Sequence, residues 1–322
     1  MFLEGAAWKL CRIPANMRSH RKMRAVVFVL AIVGLAQAAF SQGAVGHVDA
    51  VYQREVEKFR AEEIKDLKSN WLVLAGLFWL KPGANSFGTG SANAIVLPAG
   101  TAPAKAGVFE LSADEVTLKM DPGAAATIDD KPVMTAKLQP DTSGKATVVA
   151  LGRLRMHVIR RGERVGIRLK DLRNPALRSF SSLQFFPIDT TYRVTGTWVP
   201  SDGKRTVDVP NVLGDVSHET IPGEVQFTLN GQTLKLTALG GDAAKGLFIV
   251  FSDATSKSDT YPSGRFLETD AVQDGKVVLD FNKAYNPPCA FTPYATCPLA
   301  PKENRLAVAI PAGEKFDHSK PH

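Results

Sequence analysis

The segment VQFTLNGQTLKLT, from Val225 to Thr237, decides how this chain is read. Val225, Phe227 and Leu229 alternate with Gln226 and Thr228, and Leu234 and Leu236 alternate with Thr233, Lys235 and Thr237. That period of two belongs to strands with one buried face. Asn230 and Gly231 stand between the runs, a pair that tolerates the positive φ angles of a type I′ turn, so the segment predicts a tight antiparallel hairpin. Similar runs recur outward in both directions: WLVLA, AIVLP, GVFEL, EVTLK, TVVALG, LRMHVIRRG, RVGIRL, TYRVTGTW, RTVDVP, GLFIVF, KVVLDF and RLAVAI. Short strands at regular spacing, punctuated by Gly, Pro, Asn and Asp, predict a mainly β, antiparallel protein.

One stretch has a different period. From residue 48 to 69 the apolar residues Val48, Tyr52, Val56, Phe59, Ile64 and Leu67 recur three to five apart with charges between them, which predicts an N-terminal amphipathic helix docked on the sheets. Its polar face mixes acids with bases, unlike that of a membrane-surface helix. QPDTSGK, at 139–145, has the composition of a linker. The expected organisation is therefore a β-sandwich over 71–140 and a second β domain over 146–315, built as another antiparallel sheet or a small barrel.

WLVLAGLFWLKPG at 71–83, LRNPALRSF at 172–180, FFPIDTTYRVTGTW at 185–198, SGRFLETD at 263–270 and DFNKAYNPPCAFTPYATCPLAPKENRL at 280–306 resemble the bacterial domain-of-unknown-function 1684 family. The resemblance runs from Val51 to Lys315. It implies relatives and brings no catalytic residues with it. A second resemblance, over 71–138, is to forkhead-associated β-sandwich domains. NSFGTGSANAIVLP looks like their glycine turn and following strand, and IDDKPV like their late hairpin. Thr89 stands where that family has its phosphate-facing arginine, and PAKAG at 103–107 lacks its Ser-Arg and His. The resemblance thus implies a sandwich shape without phosphothreonine recognition.

Arg18, Arg21, Lys22 and Arg24 precede an apolar run from Ala25 to Ala36 that ends in Ala36-Gln37-Ala38, the pattern of a signal peptide over 1–38. The run is shorter than the ~20 apolar residues of a membrane span. The expectation is an exported protein, periplasmic or extracellular, with no membrane span after cleavage. The whole chain carries a net charge of +7. The leader holds six basic residues and Glu4, so most of this charge belongs to it and the remainder gives no support to a nucleic-acid partner.

What basic charge remains is concentrated. Nine Arg or Lys side chains lie between Arg153 and Arg178, against Glu163 and Asp171 alone. Strand alternation places Leu154, Met156 and Val158, with Val165, Ile167 and Leu169, on one face of a hairpin and Arg155, His157, Arg164 and Arg168 on the other. Guanidinium groups pair with carboxylates and phosphates, so this face could hold an anionic ligand, although charge runs of this kind are more often a solvated outer face. His157 among arginines is disfavoured in its protonated form.

The segment 285–305 gathers Tyr285, Asn286, Tyr294, Asn304 and Arg305 around Cys289 and Cys297 on a proline-stiffened loop, and Arg265 in SGRF is a further polar candidate. Long loops that are too apolar for disorder commonly carry binding sites; the alternative is a long connection whose tyrosines pack on the core and whose asparagines cap turns. In an oxidising compartment the two cysteines are expected to form a disulfide. Alternatives are a zinc site, which lacks a CxxC pair and a nearby histidine, and a nucleophilic thiolate favoured by Arg305 or Lys302. No GxSxG, HExxH, Walker or Rossmann motif occurs. The sequence therefore points to a protein binding a small or anionic ligand through the 285–305 loop, with a hydrolase or thiol-dependent enzyme and a structural envelope protein as rivals; no metal or cofactor is specified.

Overall fold

The computed structural model describes residues 48–319. The signal-peptide expectation falls on residues 1–38, outside the described residues. Asp49 caps the helix Ala50–Asp66, its carboxylate accepting the Val51 N–H, and a wider turn, Leu67–Trp71, ends it. Tyr52 and Val56 face inward. The Tyr52 hydroxyl donates to Asp280 at 2.7 Å, and Arg60 donates to the Phe186 carbonyl while lying over the Phe185 ring. The helix is thereby tied to segments more than a hundred residues away. Among the described residues no helix is long and apolar enough to cross a membrane.

The rest is mainly antiparallel β structure in several sheets. A six-stranded sheet runs, in spatial order, Leu74–Trp79, Arg164–Asp171, Leu154–Arg161, Val149–Leu151, Ala126–Ile128, Lys131–Val133. It faces a five-stranded sheet ordered Ile95–Val96, Gly83–Gly88, Gly107–Ser112, Glu115–Met120, Thr135–Leu138. The inward side chains of both, among them Phe87, Phe109, Leu118, Met156 and Ile167, form one core, with Phe87 and Phe109 stacked at 4.6 Å. Strands at 149–171, assigned from sequence to the second domain, complete this first sandwich instead. Their buried residues Leu154, Met156, Val158, Val165, Ile167 and Leu169 have the first sandwich as their core, so 139–145 is an internal connection.

The second half contains a four-stranded sheet, Gln232–Ala238, Gly223–Leu229, Arg193–Pro200, Lys276–Asp280, and a three-stranded one, Gly240–Asp242, Gly246–Phe251, Arg265–Glu268. They share a core of Val225, Phe227, Leu236, Ile249, Phe251 and Phe281, and among the described residues no barrel closes. The Asn230-Gly231 turn has φ of 50° and 76°, and Leu229 pairs with Gln232, as a type I′ hairpin requires. RLAVAI, expected as a strand, is an irregular segment. Single bonds hold it beside 252–254, Leu306 N–H to the Ser252 carbonyl and Ala254 N–H to the Val308 carbonyl, so no ladder forms.

A third apolar cluster joins the two halves. Leu67, Trp71 and Leu74 meet Val207, Val209 and Ile221 of the two-stranded ribbon, together with Phe266, Tyr285, Ala295 and Cys297. The 285–305 loop is therefore packed into the junction of the fold.

Candidate functional site

The C-terminal segment builds the floor of a cleft at this junction. It threads between two others: the Phe186 N–H bonds the Gly313 carbonyl, the Glu314 N–H bonds the Ala284 carbonyl, and the Lys315 N–H bonds the Gln184 carbonyl. Gly313 has φ of +80°, and a Cβ there would stand 2.5 Å from the Ala284 carbonyl oxygen, so glycine alone fits this passage. The next side chain, Glu314, is thus driven inward and is 2% exposed.

The Glu314 carboxyl accepts the Asn286 backbone N–H and its side-chain amide, each at 2.9 Å. The same amide nitrogen donates to the Lys315 carbonyl, so both partners are acceptors and the orientation of the Asn286 amide is determined by them. Burial pushes the Glu314 carboxyl up to about 8, against the opposing pull of the Asn286 donors and of Arg265. Arg265 is itself spent on another charge. Fully buried, it pairs with Asp253 at 2.5 Å and donates to the Ile310 and Ala312 carbonyls. Among the described residues Glu314 has no ion-pair partner of its own.

Two cavities meet at Asn286, Phe291 and Glu314. The larger, about 260 Å³, is walled by Leu72, Phe180 and Phe291 and by the polar run Ser181, Ser182 and Gln184. The smaller, about 30 Å³, opens beside Glu63, Trp71 and Tyr285. Apolar walls with a few convergent polar groups are the usual build of a small-molecule site.

The residues singled out from sequence separate into three groups. Asn286 and Tyr285 line the cleft, Tyr285 donating its hydroxyl to Glu268 at 2.8 Å. Arg265 and Asn304 are interior staples rather than ligand contacts. Asn304, 0% exposed, accepts the Thr237 N–H and donates to the Thr237 and Val250 carbonyls, bridging two sheets. Tyr294 packs against the junction cluster. Arg305 points outward, its Nε donating to the Ala300 carbonyl. Neither lines the cleft.

The arginine hairpin has the expected facing, with His157 opposite Arg168 and Arg155 opposite Lys170. Its side chains are largely engaged within the protein. Arg155 folds back onto the Gly152 and Leu154 carbonyls. Arg164 pairs with Asp215 and covers the Trp79 ring. Arg161 pairs with Asp141 and donates to the Thr296 hydroxyl at 2.9 Å; Arg168, 5% exposed, reaches the same hydroxyl at 3.5 Å and lies over Trp71. Burial first, then Arg168, Lys170 and Arg161, depresses His157 to about 3, so it is neutral. The basic face and the cysteine loop, read separately in the sequence, therefore meet at Thr296.

Cys289 and Cys297 are both in the reduced form, and the expected disulfide is not formed. They are nonetheless neighbours: the Cys289 N–H points at the Cys297 sulfur at 3.3 Å. No group of three or more His, Cys, Asp or Glu that could hold a metal occurs among the described residues. Glu314 and the 179–184 wall escaped the sequence reading. The one available signal was an acid inside the apolar run LAVAIPAGEKF, directly after a glycine.

The fold and cleft define a mainly β protein with an acid buried beside a small cavity. Residues 178–315 match the family described as "Protein of unknown function (DUF1684)", and the chain belongs to that family. Among solved structures it is similar to an uncharacterized protein of Haloarcula marismortui, solved by solution NMR. The two share 32% identity over 45% of this chain and 83% of that one, with a TM-score of 0.38. It is also similar to a forkhead-associated domain from a study of phosphothreonine-dependent interactions, at 16% identity, over 29% of this chain and 92% of that one, with a TM-score of 0.22. No curated protein matches.

Proposed function

We propose that this protein binds a small molecule in the cleft between residues 179–184 and the Asn286–Phe291 turn. The observation that carries this reading is that the 285–305 loop walls a concave cavity of about 260 Å³ with the buried Asn286–Glu314 pair at its floor. The volume lies just below the ~300–1,000 Å³ of drug-sized pockets, which favours a ligand of about one ring with a polar end. Phe180 and Phe291 would cover its apolar body; Glu314, Gln184 and the serines offer hydrogen bonds. This favours the small-ligand reading over an anion held by the hairpin, whose arginines already have partners within the protein.

The test uses benzamide, phenethylamine and 3-phenylpropionate as probes in titrations followed by NMR and by melting temperature. At least one should bind saturably to the native chain and not to Ser182→Trp, in which an indole on an exposed wall residue fills the cleft. Binding by none of the three, or unchanged binding to the variant, would remove the cleft as the site. The proposal also places the protein outside the cytoplasm, on the strength of the basic and apolar leader ending at Ala38. N-terminal sequencing of the chain from its native envelope should begin within a few residues after Ala38. Intact leader on soluble cytoplasmic protein would refute export.

A further inference from the structure

Cys289 and Cys297 form an asymmetric pair. Cys297 is 1% exposed and sits in the junction cluster, whereas Cys289 is only partly buried, on the turn Pro288–Ala290. The Tyr261 hydroxyl donates to the Cys289 carbonyl at 3.4 Å, and the Cys289 N–H points at the Cys297 sulfur at 3.3 Å. Hydrogen bonding with Cys297 first, then with Tyr261 and the backbone, holds the Cys289 thiol below its usual range against the effect of burial; Arg305 and Lys302 are not among the causes. The outer sulfur is thus the more accessible nucleophile, and the inner one lies beside it.

We propose that Cys289 and Cys297 are a two-thiol redox site, with Cys289 attacking, Cys297 resolving, and a low-molecular-weight hydroperoxide as the oxidising substrate. In the first step the Cys289 thiolate attacks the O–O bond. A sulfur–oxygen bond forms, the O–O bond breaks, and the departing alkoxide or hydroxide takes up the proton that Cys289 released. Sulfur is oxidised by two electrons to the sulfenic acid and the peroxide is reduced to alcohol or water. The Cys297 sulfur then attacks that of Cys289. The S–S bond forms, the S–O bond breaks, and hydroxide leaves as water with the Cys297 proton. The partial burial of Cys289 favours a small oxidant over a bulky disulfide. This reading stands apart from the cleft proposal, because its test needs no cleft ligand.

The fully reduced chain is treated with stoichiometric hydrogen peroxide and read by peptide mass spectrometry, which separates these cysteines from Cys11. The Cys289 and Cys297 peptides should become linked with loss of two hydrogens, and in Cys297→Ser the Cys289 sulfenic acid should be trapped by dimedone. In the unmodified chain, alkylation of Cys289 by iodoacetamide should have its pH midpoint below that of glutathione, and Tyr261→Phe should raise it. A midpoint at or above that of glutathione, or two thiols unchanged by peroxide, would overturn the proposal without requiring any variant to fold.

Discussion

Arg265→Ala is expected to unfold this protein or bring it close to unfolding. The Arg265–Asp253 pair has no solvent exposure on either side chain, and the guanidinium also satisfies the Ile310 and Ala312 carbonyls. Deleting one partner of a buried ion pair costs about 3–5 kcal/mol because the remaining charge is stranded in the interior. Total stabilities are only ~5–15 kcal/mol. Asp253 would also be left charged while still capping the turn Ala254–Lys257 through Thr255. Urea denaturation should show a midpoint lowered by a large fraction, or no cooperative transition. Arg265→Lys should fall between, since an ammonium keeps the charge but cannot span three acceptors in the guanidinium plane. A folded Arg265→Ala protein with native stability and altered ligand binding alone would show that this residue belongs to a binding site after all.

The second large effect is on pH. Glu314 is raised to about 8 in the folded chain from an unfolded value of 4.5, because burial penalises its ionised form more than Asn286 and Arg265 favour it. The native state therefore holds a proton that the unfolded state has released throughout this window. The corresponding stability is fully present below pH 4.5 and is lost as the pH rises through 8. The span is equivalent to on the order of 5 kcal/mol. Glu314→Gln, neutral at every pH, should remove this slope. The difference in unfolding free energy between the native chain and the variant should therefore change steadily between pH 5 and 8.5, to the disadvantage of the native chain at the alkaline end. Parallel curves would place an ionised Glu314 in the fold at neutral pH, stabilised by Asn286 and Arg265.

Arg265 also marks how far the sequence could be read. Arg265, in SGRF, and Asn304, in PKENR, look like polar groups offered to a ligand, and both are wholly enclosed. Their partners lie 12, 45 and 47 residues away for Arg265, and 54 and 67 for Asn304. Nothing within a local window distinguishes a side chain that completes a distant hydrogen-bond set from one left open to a ligand. Asn286 shows the opposite outcome with the same local appearance, since its partners at 314 and 315 form the floor of a cleft.

By itself the sequence determined what depends on neighbours along the chain. The alternation of Leu154, Met156 and Val158 set which face of that strand is buried, and Asn230-Gly231 set the hairpin turn, because side-chain period and turn dihedrals are local properties. The strand composition made the protein mainly β for the same reason. The assembled fold alone settles which sandwich 149–171 completes, that Thr296 accepts from Arg161 and Arg168, and that Gly313 turns Glu314 inward beside Asn286. Each of these is a contact between segments distant in sequence, where burial and the balance of charge are set by what arrives from elsewhere in the chain.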